Sequence, residues 1–72
     1  MEKKQRLAYY VACVRDFGER FNLTPNDSFA YLESHGGMRF LIDCYEAEHT
    51  LSLEDAVADL ITVCKRNGGM LG

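Results

Sequence analysis

The fold of this chain is decided by residues 40–60, Phe40-Leu-Ile-Asp-Cys-Tyr-Glu-Ala-Glu-His-Thr-Leu-Ser-Leu-Glu-Asp-Ala-Val-Ala-Asp-Leu60. The first part has apolar residues at helical spacing, and the last part repeats that spacing after a short polar joint. Ser52 stands where a helix N-cap belongs. Glu54 and Asp55 follow in the first turn, where acidic side chains favour the positive end of the helix dipole. The stretch therefore predicts the end of one amphipathic helix and the start of another.

Two further helices are expected upstream of this stretch. Helix one covers residues 3–20 and has apolar side chains at the i, i+3, i+4, i+7 spacing. Thr24 is the expected N-cap of helix two, and Pro25 suits its first helical position because an N–H there would have no helical partner. Gly36 or Gly37 is expected to end helix two through a left-handed C-cap.

The remaining helices and the tail follow from the same signals. Helix three is expected over residues 38–48 and helix four over residues 52–66, with Asn67 and two glycines at its end. Residues 67–72 form a glycine-rich terminal segment that we expect to fray. No segment alternates as a strand does. We therefore predict a single all-α domain over residues 1–72, a compact bundle of four short helices.

Apolar rows define the expected core. Each predicted helix carries one main row of apolar residues that we expect to face the other helices. The rows are Leu7, Tyr10, Val11, Val14, Phe17 and Phe21 in helix one, Phe29 and Leu32 in helix two, Met38, Leu41, Ile42 and Tyr45 in helix three, and Leu53, Ala56, Val57, Leu60, Ile61 and Cys64 in helix four.

Helices one and three also carry apolar residues behind these rows. Residues 7–14 are apolar on every side for two turns, and helix three repeats this pattern. A helix that is apolar all round is usually buried, so one interpretation is that both helices lie among their neighbours. The other is a contact surface for a protein partner or for a second copy in a homodimer. The residues that we expect at such an interface are Tyr9, Ala12, Cys13, Phe40 and Cys44.

Composition argues against nucleic acid and membrane partners. The chain has 72 residues and a formal net charge of -3, whereas phosphate contacts require a basic surface. Helix two, residues 36–37 and helix three resemble a helix-turn-helix, but Asp43 and Glu46 would repel phosphates beside Arg39. The apolar run 7–14 is shorter than the roughly 20 residues of a membrane span. We expect binding to neither nucleic acid nor membranes.

In a reducing compartment the three cysteines, Cys13, Cys44 and Cys64, are expected to be buried apolar thiols. They are odd in number and form no Cys-x-x-Cys pair, as expected for buried free thiols rather than disulfides. Charged residues follow the apolar run within residues 15–20, where a secretory signal would have small residues. We therefore expect a cytoplasmic protein.

The first candidate for chemistry is the spacing Glu46-x-x-His49. Di-iron carboxylate bundles present two ligands on one helical face at this i, i+3 spacing, and here a dimer would have to complete the set. Cys44 and His49, with Cys64 and His35 elsewhere, form a partial zinc set without the usual close ligand pairs. Because neither set is complete, we expect no cofactor and no enzymatic activity. A self-assembling metal-binding protein that uses Glu46 and His49 is kept as the alternative.

The opening stretch also resembles a small bacterial family, domain-of-unknown-function family 3791. The resemblance lies in a Leu-Ile-Asp-x-Tyr-x-x-x-His-Thr pattern, which is present here as Leu41, Ile42, Asp43, Tyr45, His49 and Thr50. Members of that family are often encoded beside a protein that resembles ADP-ribosyltransferases. The resemblance therefore implies a regulatory or antitoxin-like companion of a neighbouring enzyme. We also expect a hydrogen bond between Asp43 and His49 to fix the joint between helices three and four.

Overall fold

The computed structural model describes residues 2–71. These residues contain five helices and no strand, and four of the helices have seven residues or more. The predicted all-α bundle of four short helices is therefore confirmed. Within this part of the chain no helix combines the length and the apolar character that crossing a membrane requires. In chain order the helices are α1 (Glu2–Arg20), α2 (Pro25–Ser34), α3 (Gly37–Asp43), α4 (Tyr45–Glu48) and α5 (Leu53–Arg66).

The third predicted helix is interrupted, contrary to the expectation of one helix over residues 38–48. Cys44 has φ -108° and ψ 18°, and it separates α3 from the four-residue helix α4. The Cys44 N–H still donates to the carbonyl of Phe40 at 2.8 Å, so the chain bends without losing this bond. Beyond the bend, Tyr45 and Glu48 are both buried. The prediction of a continuous helix was wrong because the bend contains neither Gly nor Pro, the residues that mark a helix break in a sequence.

The N-caps of α2 and α5 follow the sequence prediction. Thr24 Oγ1 accepts a hydrogen bond from the N–H of Asp27, and Ser52 Oγ accepts one from that of Asp55, both at 3.1 Å. Gly36 joins α2 to α3 with φ +77°, in the left-handed region where glycine has no steric cost. These local features fix where α2, α3 and α5 begin.

α1 and α2 pack closely where a glycine faces a serine. A Cβ atom at Gly18 would lie 3.0 Å from the Cβ of Ser28, which is tighter than side chains normally pack. Ser28 is fully buried, and its hydroxyl donates to the carbonyl of Val14 at 2.6 Å. The contact holds the first turn of α2 against the second half of α1.

One hydrophobic core lies between α1, α2, α3 and α5. Every one of these helices contributes at least one fully buried side chain, and Tyr45 of α4 lies beside the core. The core residues are Cys13, Phe17, Leu32, Met38, Leu41, Ala56, Val57, Leu60 and Cys64.

Some residues that we assigned to the core from their spacing are exposed instead: Leu7, Val11, Phe29, Ile42 and Leu53. On α1, Leu7 is 63% and Val11 49% exposed, whereas Cys13 and Phe17 are fully buried. The helix is therefore rotated about its axis relative to the prediction. A helix with two apolar faces satisfies the spacing rule in either orientation, so spacing alone did not decide which face is buried.

The end of the chain contacts α2. The Gly69 N–H donates to the carbonyl of Cys64 at 2.8 Å and closes α5. The N–H of Leu71 donates to the Tyr31 hydroxyl at 3.1 Å, and the Leu71 side chain packs against the core. Fraying of residues 67–72 stays a prediction. The last residue of this segment, Gly72, lies outside the described part of the chain.

Candidate functional site

The residues predicted for a protein interface do not form one exposed face. Cys13 is fully buried in the core, so a partner docked on the surface of this fold would not contact it. Tyr9 and Ala12 are half-buried on α1, and Phe40 and Cys44 are half-buried at α3 and the bend that follows it. Tyr9 and Phe40 both pack against the core. Contact between the four half-buried residues and a partner stays a prediction.

An apolar groove opens between α1 and α2 instead, with a volume of about 330 Å³. Its rim includes Leu7, Val11 and Phe29, which are 63%, 49% and 48% exposed. Large apolar side chains around a concave surface are typical of binding sites rather than of ordinary protein surface. The other lining residues are Tyr10, Val14, Arg15, Pro25 and Met38.

A second apolar depression lies on the other side of Leu7 and Val11. We call the residues that line it the outer face of α1: Lys4, Leu7, Ala8, Val11, Ala12 and Arg15. Leu7, Val11 and Arg15 follow i, i+4 spacing and form a ridge between the two depressions. Helices pack by fitting ridges of this kind into the grooves of a neighbour. The outer face of α1 therefore has the shape of a helix-packing surface.

The sequence contained a signal for this surface that our reasoning missed. Lys4, Ala8, Val11 and Arg15 lie at i, i+4, i+7 and i+11, so they share one side of a helix. Charged side chains are rarely buried, and the two basic residues mark that side as facing solvent. Leu7 lies beside them and is exposed with them.

α4 is attached to α1 through an aromatic cluster. The ring of Tyr45 makes edge contacts with Tyr9 and Tyr10, with 5.5 and 5.9 Å between ring centroids. The guanidinium carbon of Arg6 lies 4.5 Å from the Tyr45 ring centroid, and Arg6 Nη2 lies 3.1 Å from Glu46 Oε1. Glu46, one of the two predicted metal ligands, is thus engaged in an ion pair with α1.

The two histidines have the same local arrangement. The rings of His35 and His49 contact the tyrosine four residues earlier, Tyr31 and Tyr45, with centroids 4.3 and 4.5 Å apart. Each Nδ1 lies within hydrogen-bonding distance of that tyrosine's carbonyl oxygen, at 2.9 and 2.6 Å. A carbonyl oxygen only accepts, so Nδ1–H is the donor in both cases. Both imidazoles are therefore held by their own helix.

The hydrogen bond expected between Asp43 and His49 is replaced by local contacts. Asp43 Oδ2 lies 3.8 Å from Nε of Arg39, one turn earlier on α3. His49 donates to the carbonyl of Tyr45, as just described. Asp43 and His49 therefore each contact their own helix, on opposite sides of the backbone bend at Cys44.

Residues 2–71 contain no group of three or more His, Cys, Asp or Glu side chains placed to hold a metal ion. Of the partial zinc set, Cys64 is fully buried in the core, Cys44 is half-buried at the bend, and each histidine is held by its tyrosine. Nothing in the arrangement favours the alternative of a metal protein built around Glu46 and His49.

A buried carboxyl group lies where α4 meets α5. Glu48 is 7% exposed, and its Oε1 is shielded from solvent without a hydrogen-bond partner among the described residues. Asp59 of α5 is hydrogen-bonded to the Glu48 side chain. Burial, followed by the hydrogen bond and the charge of Asp59, raises the pKa of Glu48 to about 7. Glu48 therefore keeps its proton up to about neutral pH.

Two ionisable groups of α1 are buried near this carboxyl. The Tyr9 hydroxyl is shielded without a well-formed hydrogen bond and lies beside the Cys13 thiol, whose sulfur is a weak acceptor. Burial raises the pKa of Tyr9, and the neighbouring Cys13 and Glu48 raise it further. Burial also raises the pKa of the Cys13 thiol. A thiolate nucleophile at Cys13 is therefore disfavoured at neutral pH.

By its fold and its surface, the chain is a small helical-bundle domain with an apolar groove between α1 and α2. It belongs to the family described as "Protein of unknown function (DUF3791)", whose model matches residues 8–67. The family expected from the pattern at residues 41–50 is therefore confirmed. Neither a curated protein nor a solved structure matches the chain.

Proposed function

We propose that this protein is a non-enzymatic helical module that binds another protein. The observation that supports the proposal is the groove between α1 and α2, where Leu7, Val11 and Phe29 expose large apolar side chains around one concave surface. Exposed apolar surface of this kind usually marks a protein contact. Covering it would remove these side chains from water, which is the main driving force of protein association.

The groove suits one mode of recognition in particular. It lies between two helices, and its floor includes the half-buried Tyr10 and Val14 and the buried Met38. An amphipathic helix binds in such a groove by inserting apolar side chains from one of its faces. Methionine in the lining adapts readily to the shape of a bound side chain. We therefore expect the partner to contribute an amphipathic helix.

We propose that the partner is a neighbouring enzyme that resembles ADP-ribosyltransferases. The support is the gene neighbourhood that the resemblance at residues 41–50 implies. In this proposal the module is a regulatory or antitoxin-like companion of that enzyme. We place it in the bacterial cytoplasm, where the free thiols of Cys13, Cys44 and Cys64 would remain reduced.

Charge substitution in the groove tests the proposal. Phe29→Arg places a guanidinium where an apolar side chain would be covered, and desolvating that unpaired charge is costly. We expect at least about a tenfold loss of affinity for the co-expressed neighbouring enzyme, measured by calorimetry on the purified proteins. Leu51→Arg is the matched control, because Leu51 is 40% exposed in the segment between α4 and α5. This variant is expected to bind as the wild type does.

Two results would count against the proposal. If the wild-type protein shows no affinity for the enzyme, the proposed partner is wrong. If Phe29→Arg binds as tightly as the wild type, the groove is not the contact. Phe40→Arg would then test the half-buried residues predicted from the sequence, with circular dichroism to verify that the variant folds.

A further inference from the structure

We infer that the outer face of α1 is a dimer interface, on which a second copy of this chain packs with its own α1 antiparallel. The inference rests on the proposed protein-binding role and names a second copy as one partner. It concerns the side of the Leu7–Val11 ridge that faces away from Phe29 and Met38. Pro25 and Phe29, on the α2 side of the groove, do not line this face.

Two exposed charges on α1, Lys4 and Glu19, are complementary in an antiparallel pair. Lys4 lies seven residues before Val11, and Glu19 lies seven residues after Ala12. Seven residues are about two helical turns, so both charges stay on the same side as the residues between them. Both side chains are exposed. An antiparallel pair centred between Val11 and Ala12 therefore sets each Lys4 against Glu19 of the partner subunit.

Two-fold symmetry doubles this ion pair. A symmetric interface uses the same patch on both subunits, so each contact occurs twice. A parallel arrangement would instead place Lys4 beside Lys4 and Arg15 beside Arg15, and like charges in contact disfavour association. Charge therefore selects the antiparallel orientation.

Apolar residues occupy the middle of the same face. In the antiparallel register Val11 lies opposite Ala12 of the partner subunit, and the small alanine side chains allow the two helices to approach closely. Arg15 lies opposite Ala8 of the partner subunit, where the aliphatic part of the arginine covers the methyl group. Leu7, which is 63% exposed in the single chain, lies at the edge of this contact. A domain of this size buries a small core, and a second subunit is a common way to add buried surface.

A charge exchange tests the register directly. Sedimentation velocity at increasing concentration should show the wild-type mass approaching twice the 8.2 kDa of the chain. Lys4→Glu and Glu19→Lys each turn two attractive contacts into two repulsive ones, and each is expected to weaken the dimer about tenfold. The double variant Lys4→Glu/Glu19→Lys restores both ion pairs with reversed signs and should recover the wild-type affinity.

Matched controls separate the register from net charge. Lys65→Glu and Glu33→Lys make the same charge changes at exposed positions on α5 and α2, and the dimer is expected to be unaffected. A wild-type chain that stays monomeric throughout overturns the inference. So does a dimer that the single exchanges leave intact, or one that the double variant fails to restore. All exchanged positions are exposed, so unchanged circular dichroism is expected.

The dimer and the proposed function have separate readouts, although Leu7, Val11 and Arg15 line both depressions. Phe29 lies outside the outer face of α1, so Phe29→Arg reports on the α2 side of the groove. A monomer that binds the neighbouring enzyme refutes the dimer alone. A dimer that fails to bind the enzyme refutes that partner alone.

Discussion

Among single residues, Glu48 links the packing of α4 to the pH of the solution. Its carboxyl is 7% exposed beside Asp59, and its pKa is raised from 4.5 to about 7. Between these two values the folded state keeps a proton that the unfolded state has released. The free energy of unfolding should therefore fall as the pH rises from about 4.5 to about 7 and change little beyond either end. The expected total is about 3 kcal/mol.

Glu48→Gln should remove most of this pH dependence. The amide carries no charge, and its NH₂ group can donate to the Asp59 carboxylate at any pH above the acid range. We expect the variant to be more stable than the wild type at pH 8, by about 1–3 kcal/mol. Urea unfolding at a series of pH values measures the difference. Glu33→Gln, at an exposed glutamate of α2, should keep the wild-type profile. An unchanged slope in Glu48→Gln would show that another group titrates.

The Glu48–Asp59 pair could not be predicted from the sequence. The two residues belong to different helices, and their contact depends on how α4 is set against α5. Glu46 and His49 drew attention because their spacing within one helix is visible in a sequence. Residue spacing shows which side chains share one face of a helix. Whether a charged side chain on that face is buried depends on the helix that packs against it.

At the level of helices, the features that depend on local contacts were predictable. An N-cap at Thr24 or Ser52 needs only the side-chain hydroxyl and the backbone N–H three residues later. Both N-caps are formed in the structure. The break at Cys44 and the rotation of α1 were not predictable. Each is decided by contacts between helices, and α1 has apolar residues on both of its sides. Leu7 and Val11 of α1 were therefore assigned to the core, although both are exposed.

Ser52→Ala should destabilise the fold through α5. The substitution removes the oxygen that accepts from the N–H of Asp55, and the expected loss is about 1 kcal/mol in the free energy of unfolding. Ser52→Asp keeps an acceptor at that place and should retain most of the stability. Urea unfolding at neutral pH measures both. Ser34→Ala, at the exposed last residue of α2, is the control. If Ser52→Ala unfolds at the wild-type urea concentration, the cap contributes nothing to the fold.

For the molecule as a whole, the three thiols report on the integrity of the core. Cys13 and Cys64 are fully buried, on the first and the last helix, and burial raises the pKa of both. Cys44 is half-buried at the bend. A thiol reagent needs access to a thiolate, so the two core thiols should react only when the fold opens.

Thiol labelling should therefore occur in two phases. We expect one thiol to react quickly in the native protein and two to react slowly, with the slow rate rising steeply in urea. Mass spectrometry of the labelled protein counts the groups in each phase. Cys44→Ser should abolish the fast phase and leave the slow one. Fast labelling of Cys13 in native protein would contradict the burial of this side of α1.

The composition of the core also affects how the chain folds during synthesis. The core residues of α5, Ala56, Val57, Leu60 and Cys64, belong to the same cluster as Phe17, Leu32 and Leu41 from the earlier helices. A nascent chain that has not yet exposed α5 outside the ribosome leaves those three side chains in water. We therefore expect the earlier helices to stay loosely ordered until α5 emerges, and folding to follow as one late event.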